Sequence, residues 1–183
     1  APTDRVRPDA RRLEARLWLA EGEARQARRR LAELATSSPR DAEIWKLLAT
    51  AQRHDGRHRE ATESWRRAVQ LKPDDVHARE QLARTLMDRR EYATAVDVWR
   101  QLLTLDLEPA LARSAHFNLA LALQRDNRLE QAVAAWDEVL VGAPDQRAAT
   151  FNRALALERL GRRAAAVAGF ERVLELDPDH AAS

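Results

Sequence analysis

Few side chains in this sequence are spaced to do chemistry. His54 and His58 stand four residues apart, the separation at which two imidazoles on one helix face would share a metal ion. Gly56 lies between them at a point where a turn is expected, which breaks that geometry, and no third ligand is evident. His77, His116 and His180 stand alone. Ser37, Ser38 and Ser64 have neither a paired histidine nor a nucleophile motif. The acidic pairs Asp74–Asp75 and Asp177/Asp179 fall where helices meet, where capping and dipole complementarity account for them. Only 5 glycines occur, too few to form a phosphate-cradling loop. Cysteine is absent, which removes disulfides, thiolate metal sites and cysteine nucleophiles. Neither an enzyme, a metal site nor a cofactor is expected.

Composition narrows the partner. A formal net charge of +2 is poor support for general nucleic-acid binding. Arginine is abundant while Lys46 and Lys72 are the only lysines, a bias that fits a GC-rich bacterial genome. No apolar run approaches the roughly 18 residues needed to span a bilayer, so membrane insertion is not expected. The opening APTDRVRPDARR has no apolar signal core and reads as a mature end or an arbitrary boundary. Cytosol and periplasm both remain open.

The elements that would position these side chains repeat every 34 residues. Alanine recurs at Ala27, Ala61 and Ala95 and, after a three-residue slip, at Ala132 and Ala166. A second alanine column runs Ala15, Ala49, Ala83, Ala120 and Ala154, and a bulky one runs Leu31, Trp65, Trp99, Trp136 and Phe170. Proline closes most units at Pro39, Pro73, Pro144 and Pro178. Gly22, Gly56 and Gly161, with Asn127, occupy the turn inside a unit where a left-handed residue is needed, and Arg90 is the one departure. A fixed period of this length signifies stacked units that cannot bury their apolar faces alone.

In chain order, residues 1–7 read as a mobile lead-in, 8–180 as a single array and 181–183 as a tail. The repeats are 8–41, 42–75, 76–109, 113–146 and 147–180, each a pair of antiparallel helices of about 13 residues. Arg11 and Glu14 place polar groups where later units carry Trp45, Leu48 and Leu82, as an amino-terminal capping unit would. The run Arg28–Arg30 reads as a solvated outer face or, alternatively, a docking patch for an acidic surface. Asp41 is placed to cap the first helix of the second unit. Extra residues 110–112 should lengthen a linker or the next helix. Val167, Phe170, Val173, Leu174 and Leu176 make the last helix apolar with no capping helix after it, which favours a fragment of a longer protein or a face covered by another copy.

These columns resemble the tetratricopeptide repeat family over residues 8–180. Trp45, Leu48, Ala49, Ala61, Trp65, Ala68 and Pro73 fall on its signature positions, while Arg153 stands where a leucine is usual. The resemblance implies an all-α fold, a right-handed superhelical solenoid of helix hairpins whose first helices line a concave groove that binds extended peptides without catalysis. Carried over by position, the groove should show Glu43, Lys46, Thr50 and Arg53 from the second unit and His77, Glu80, Gln81, Arg84 and Asp88 from the third. Phe117, Asn118, Leu121, Gln124 and Arg125 follow from the fourth, and Phe151, Asn152, Leu155 and Arg159 from the fifth. Asn118 and Asn152 are similar to the backbone-gripping asparagines of peptide-binding members; alternatively they tie neighbouring helices together. Arg84, Arg125 and Arg159 would attract acidic side chains or a terminal carboxylate. The carboxylate-clamp subtype is not implied, because only Lys46 and the asparagines fit it, and in the wrong order.

The expected function is a protein–protein interaction module that holds an extended segment of a partner protein for assembly or recruitment. Two alternatives stand beside it. One is a scaffold that self-associates through the carboxy-terminal apolar face; the other is an adaptor or regulatory arm of a larger enzyme or secretion-system component.

Overall fold

The computed structural model describes residues 8–176. Expectations for residues 1–7, Asp177, Pro178, Asp179, His180 and 181–183 lie outside them. The described residues form ten helices: α1 (Pro8–Ala20), α2 (Ala24–Ser37), α3 (Ala42–His54), α4 (His58–Leu71), α5 (Val76–Asp88), α6 (Tyr92–Leu102), α7 (Pro109–Arg125), α8 (Leu129–Gly142), α9 (Arg147–Arg159) and α10 (Arg163–Glu175). No strand occurs among the described residues. The fold is an all-α helical solenoid type. Its chain divides into two compact units, residues 1–90 and 91–183. Within the first, each of α1 to α5 packs on the next; within the second, α6 to α10 do the same.

Hairpins form because each first helix is stopped in the same way. Arg57 N–H reaches back to Gln52 C=O at 2.8 Å and Gly56 N–H to Arg53 C=O at 3.1 Å, with Gly56 at φ 74°. This pair of bonds satisfies the last free carbonyls only when the residue between them is left-handed. Asn127 (φ 63°) and Arg90 (φ 61°) hold that conformation in their own turns. Arg90 is therefore a departure in residue type but not in backbone, and it carries steric cost that glycine would not.

Packing follows the columns. Ala15, Ala49, Ala83, Ala120 and Ala154 are fully buried, as are Ala27, Ala61, Ala95 and Ala132. With no bulk beyond a methyl, they let backbones approach, and Leu31, Trp65, Trp99 and Trp136 fill the remaining space. The approach is close at Gly169, where an added Cβ would lie 2.8 Å from Ala154 Cβ. Trp136 also satisfies its indole: Nε1–H donates to the buried Gln124 Oε1 at 2.8 Å. Trp65 and Trp99 bury the same N–H without a partner. At the register of Gln124, the second repeat has Arg53, which offers no acceptor and buries its own Nε unpaired.

Polar links join successive hairpins. Asp41 accepts from Glu43 N–H at 2.9 Å and Ile44 N–H at 3.4 Å, capping α3 as expected, and also meets Arg12 at 3.4 Å. One repeat later Asp75 caps α5 through Ala78 N–H at 2.9 Å and pairs with Lys46 at 3.0 Å. Of the Asp74–Asp75 pair, only Asp75 caps. Asp55 accepts from Arg25, Arg28 and Arg57 at 3.2, 3.0 and 3.1 Å. Burial opposes its ionisation, but the hydrogen bonds from these arginines outweigh that and hold its pKa below the ordinary value.

Two expectations change in detail, and a third resolves between its alternatives. The Arg28–Arg30 run is not a free solvated face: Arg28 holds Asp55, and Arg30 pairs with Glu14 at 3.3 Å and Glu33 at 3.1 Å, which leaves Arg29 exposed. The capping reading of α1 is also incomplete. Glu14 is engaged with Arg30, and Leu13 and Leu17 are 63% and 57% exposed, so α1 does not present a uniformly polar outer face. The extra residues 110–112 lengthen the following helix: α7 has 17 residues and starts on Pro109, the first helical position where a missing amide hydrogen costs nothing. Arg153, in the place of a leucine, forms an ion pair with Asp137 on α8.

Burial alone would raise the Asp75 carboxyl, but the Ala78 amide and the Lys46 ammonium outweigh it and hold it below its ordinary 3.8. A lowered carboxyl contributes stability that is complete above the unfolded value and is lost as pH falls through the folded one. Asp75→Ala should therefore lower stability at neutral pH by about 1–2 kcal/mol, the cap and the ion pair together. Urea unfolding should show that gap narrowing below pH 3.8; a gap of constant width would mean that the charge contributes nothing. Gln124→Leu should cost about 1–3 kcal/mol by orphaning the Trp136 N–H, and a variant as stable as the parent would remove that bond from the account.

Candidate functional site

The residues expected to line a groove lie on the first helices, and the two units treat them differently. In the first unit most are already engaged. Lys46 Nζ bonds Asp75 and Glu43, each at 3.0 Å. Burial disfavours its ammonium, yet these bonds hold its pKa above the ordinary 10.5. Thr50 Oγ1 donates to Lys46 C=O at 2.9 Å. Arg84 bonds Glu80 one turn back at 2.9 Å. His77 sets its ring edge-on to Trp65, with centroids 5.9 Å apart. Arg53 and Gln81 are half-buried, and Asp88 is exposed.

In the second unit the expected groove residues lie on α7 and α9. Asn118 and Asn152 occupy equivalent positions in successive repeats and share one bond. Asn118 Nδ2–H donates to Ser114 C=O at 2.8 Å, and Asn152 Nδ2–H donates to Ala148 C=O at 2.8 Å. Each carboxamide bonds its own helix one turn back, so neither ties neighbouring helices together. Among the described residues the Asn152 amide donates to no other group, the Asn118 amide adds only a longer contact to Ser114 Oγ at 3.4 Å, and neither carboxamide oxygen accepts a hydrogen bond. Phe117 stands edge-on to Trp136 at 4.9 Å and Phe151 edge-on to Phe170 at 5.9 Å, which fixes both rings beside the asparagines. Leu121 and Leu155 are half-buried, whereas Phe151 is 43% exposed.

The arginines divide again. Arg125 is exposed and unpartnered among the described residues. Arg159 bends back to Asn127 Oδ1 at 2.6 Å and Gln124 C=O at 3.4 Å. Gln124 itself is withdrawn from the surface by its bond to Trp136.

One feature of the second unit was not foreseen. A cleft of about 370 Å³ opens beside Phe117, lined also by Arg113, Ser114, Ala143, Gln146 and Ala148. Its signal lies in the register. Arg12 and Lys46 sit at the fifth position of their repeats and reach Asp41 and Asp75. Phe117 and Gln146 occupy the same two places here, and Gln146 makes no side-chain cap. His54 and His58 are exposed on either side of the turn at Gly56, and no group of three or more metal-ligating side chains occurs among the described residues. No described helix is long and apolar enough to cross a membrane.

The tetratricopeptide repeat profile matches residues 12–76, 80–146 and 117–181. No curated protein matches the chain. Among solved structures it is similar to MamA 41-end from Desulfovibrio magneticus RS-1, at 22% identity over 98% of each chain with a TM-score of 0.77. It is similar also to YrrB, described as a TPR protein with an unusual peptide-binding site. There the identity is 15% over 97% of this chain and 90% of that one, with a TM-score of 0.82. Identities this low carry the fold alone, but the profile spans most of the sequence. The chain belongs to the tetratricopeptide repeat family.

Proposed function

We propose that this protein-interaction repeat grips an extended peptide segment of a partner protein along α7 and α9, without catalysis, in complex assembly or recruitment. The observation that carries the reading is the matched pair Asn118 and Asn152. Each amide is fixed by its own helix, which removes rotamer freedom before any partner arrives. Asn152 still has one N–H and its oxygen to offer, and Asn118 its oxygen and an N–H engaged only by a 3.4 Å contact to Ser114 Oγ; these are the two groups that an extended backbone needs. Phe117, Leu121, Phe151 and Leu155 supply apolar contact beside them, and Arg125 supplies positive charge. Lys46, Thr50 and Arg84 are committed inside the first unit and take no part in this grip. The peptide-binding site of YrrB supports the reading by showing what one protein of this fold does.

Selection of peptides against the chain, followed by Asn118→Ala with Asn152→Ala, tests it. Because both side chains bond only their own helices, alanine should leave helicity and thermal stability unchanged. Affinity should fall roughly 10- to 100-fold, as for central contacts in an interface. Unchanged affinity in the folded double variant would move the site off α7 and α9.

A second reading, self-association, is favoured by α10, where Val167 and Leu174 are 55% and 51% exposed. Light scattering should then report a mass above the monomer that Val167→Glu with Leu174→Glu returns to it. A parent chain that stays monomeric when concentrated ends this reading.

A further inference from the structure

We infer that the cleft beside Phe117 takes a bulky apolar side chain of the bound segment, flanked in that segment by an acidic residue. This rests on the peptide reading above and names the partner's chemistry at one point of it. The argument starts from a comparison inside the chain. In the first unit, a long cation at the fifth repeat position and an aspartate at the next helix cap fill the space between successive first helices, as Arg12 with Asp41 and Lys46 with Asp75. Between α7 and α9 both members change: Phe117 replaces the cation and Gln146 the aspartate. No hydrogen bond links them, and the space is left as a cleft of about 370 Å³, within the size range of small-ligand pockets.

The wall decides what fits. Phe117, Ala143 and Ala148 make it mainly apolar, and Phe117 is held in place by Trp136. A leucine or phenylalanine side chain entering there displaces water from apolar surface on several sides, the arrangement that makes an anchor residue. Charge sets the neighbour. Arg113 lines the cleft, is exposed, and has no partner among the described residues. Helix α7 contains no aspartate or glutamate to neutralise it, in contrast to Glu43 on α3 and to Glu80 and Asp88 on α5. A carboxylate next to the anchor would pair with Arg113, and a lysine there would be repelled.

A random peptide display library panned on the whole chain, with fluorescence anisotropy on a selected peptide, reads this out. Selected sequences should share a Leu, Phe or similarly large apolar residue adjacent to Asp or Glu. Ala148→Leu, which fills the cleft from an exposed position, should weaken the selected peptide at least tenfold. Arg113→Glu should weaken it comparably and, on renewed panning, favour Lys or Arg beside the anchor. A third variant, Phe117→Lys with Gln146→Asp, copies the filled junction of Lys46 and Asp75; it should keep the fold and lose the peptide. If peptides are selected and depend on Asn118 and Asn152, yet share no apolar–acidic pair or ignore Ala148→Leu, the inference about the cleft is overturned and the grip on α7 and α9 stands. If no peptide is enriched, or binding ignores the asparagines, both readings fall together.

Discussion

Everything in this molecule depends on how closely helix backbones can approach where the buried residues are no larger than alanine. The two alanine columns remove side-chain bulk from the crossing within each hairpin. The indoles of Trp65, Trp99 and Trp136 then have a defined volume to fill, and their burial supplies much of the apolar area that holds hairpins together. The pairing is mutually dependent. Without small residues the large ones would not fit, and without large ones the gap would be a cavity.

That arrangement was legible because it is periodic. Small–large columns, the left-handed turn position and the capping aspartates repeat, so each copy corroborates the others, and Asp41 and Gly56 do in the structure what their register implies. Counting residues against the period located the three-residue insertion, and the structure places it in α7 rather than in a linker. What was hidden is side-chain traffic between elements distant in sequence. Nothing in the sequence alone shows that Lys46 is held by Asp75, or that Gln124 turns inward to Trp136 rather than toward solvent. Nor does residue type reveal that Asn118 and Asn152 spend one amide hydrogen on their own helix. Long polar side chains choose partners by reach and local burial, which a repeat register does not encode. The candidate surface is accordingly narrower than position alone suggested, because a groove position is available only when its side chain is not already engaged.

Packing residues and the residues proposed for recognition also fall on different positions. The alanine and tryptophan columns face inward, whereas the asparagines, Phe151 and Arg125 remain partly or wholly exposed. Changes at the exposed positions leave the core contacts intact, so stability and partner choice can vary separately.

The substitution of Phe117 and Gln146 for a cation and a carboxylate carries this furthest. Within each unit, the boundary between successive first helices behaves like a socket that is either stoppered by the chain's own charges or left vacant, and switching between the two requires only a pair of codons. A lineage of such arrays could therefore acquire or surrender a guest one boundary at a time, with its scaffold untouched.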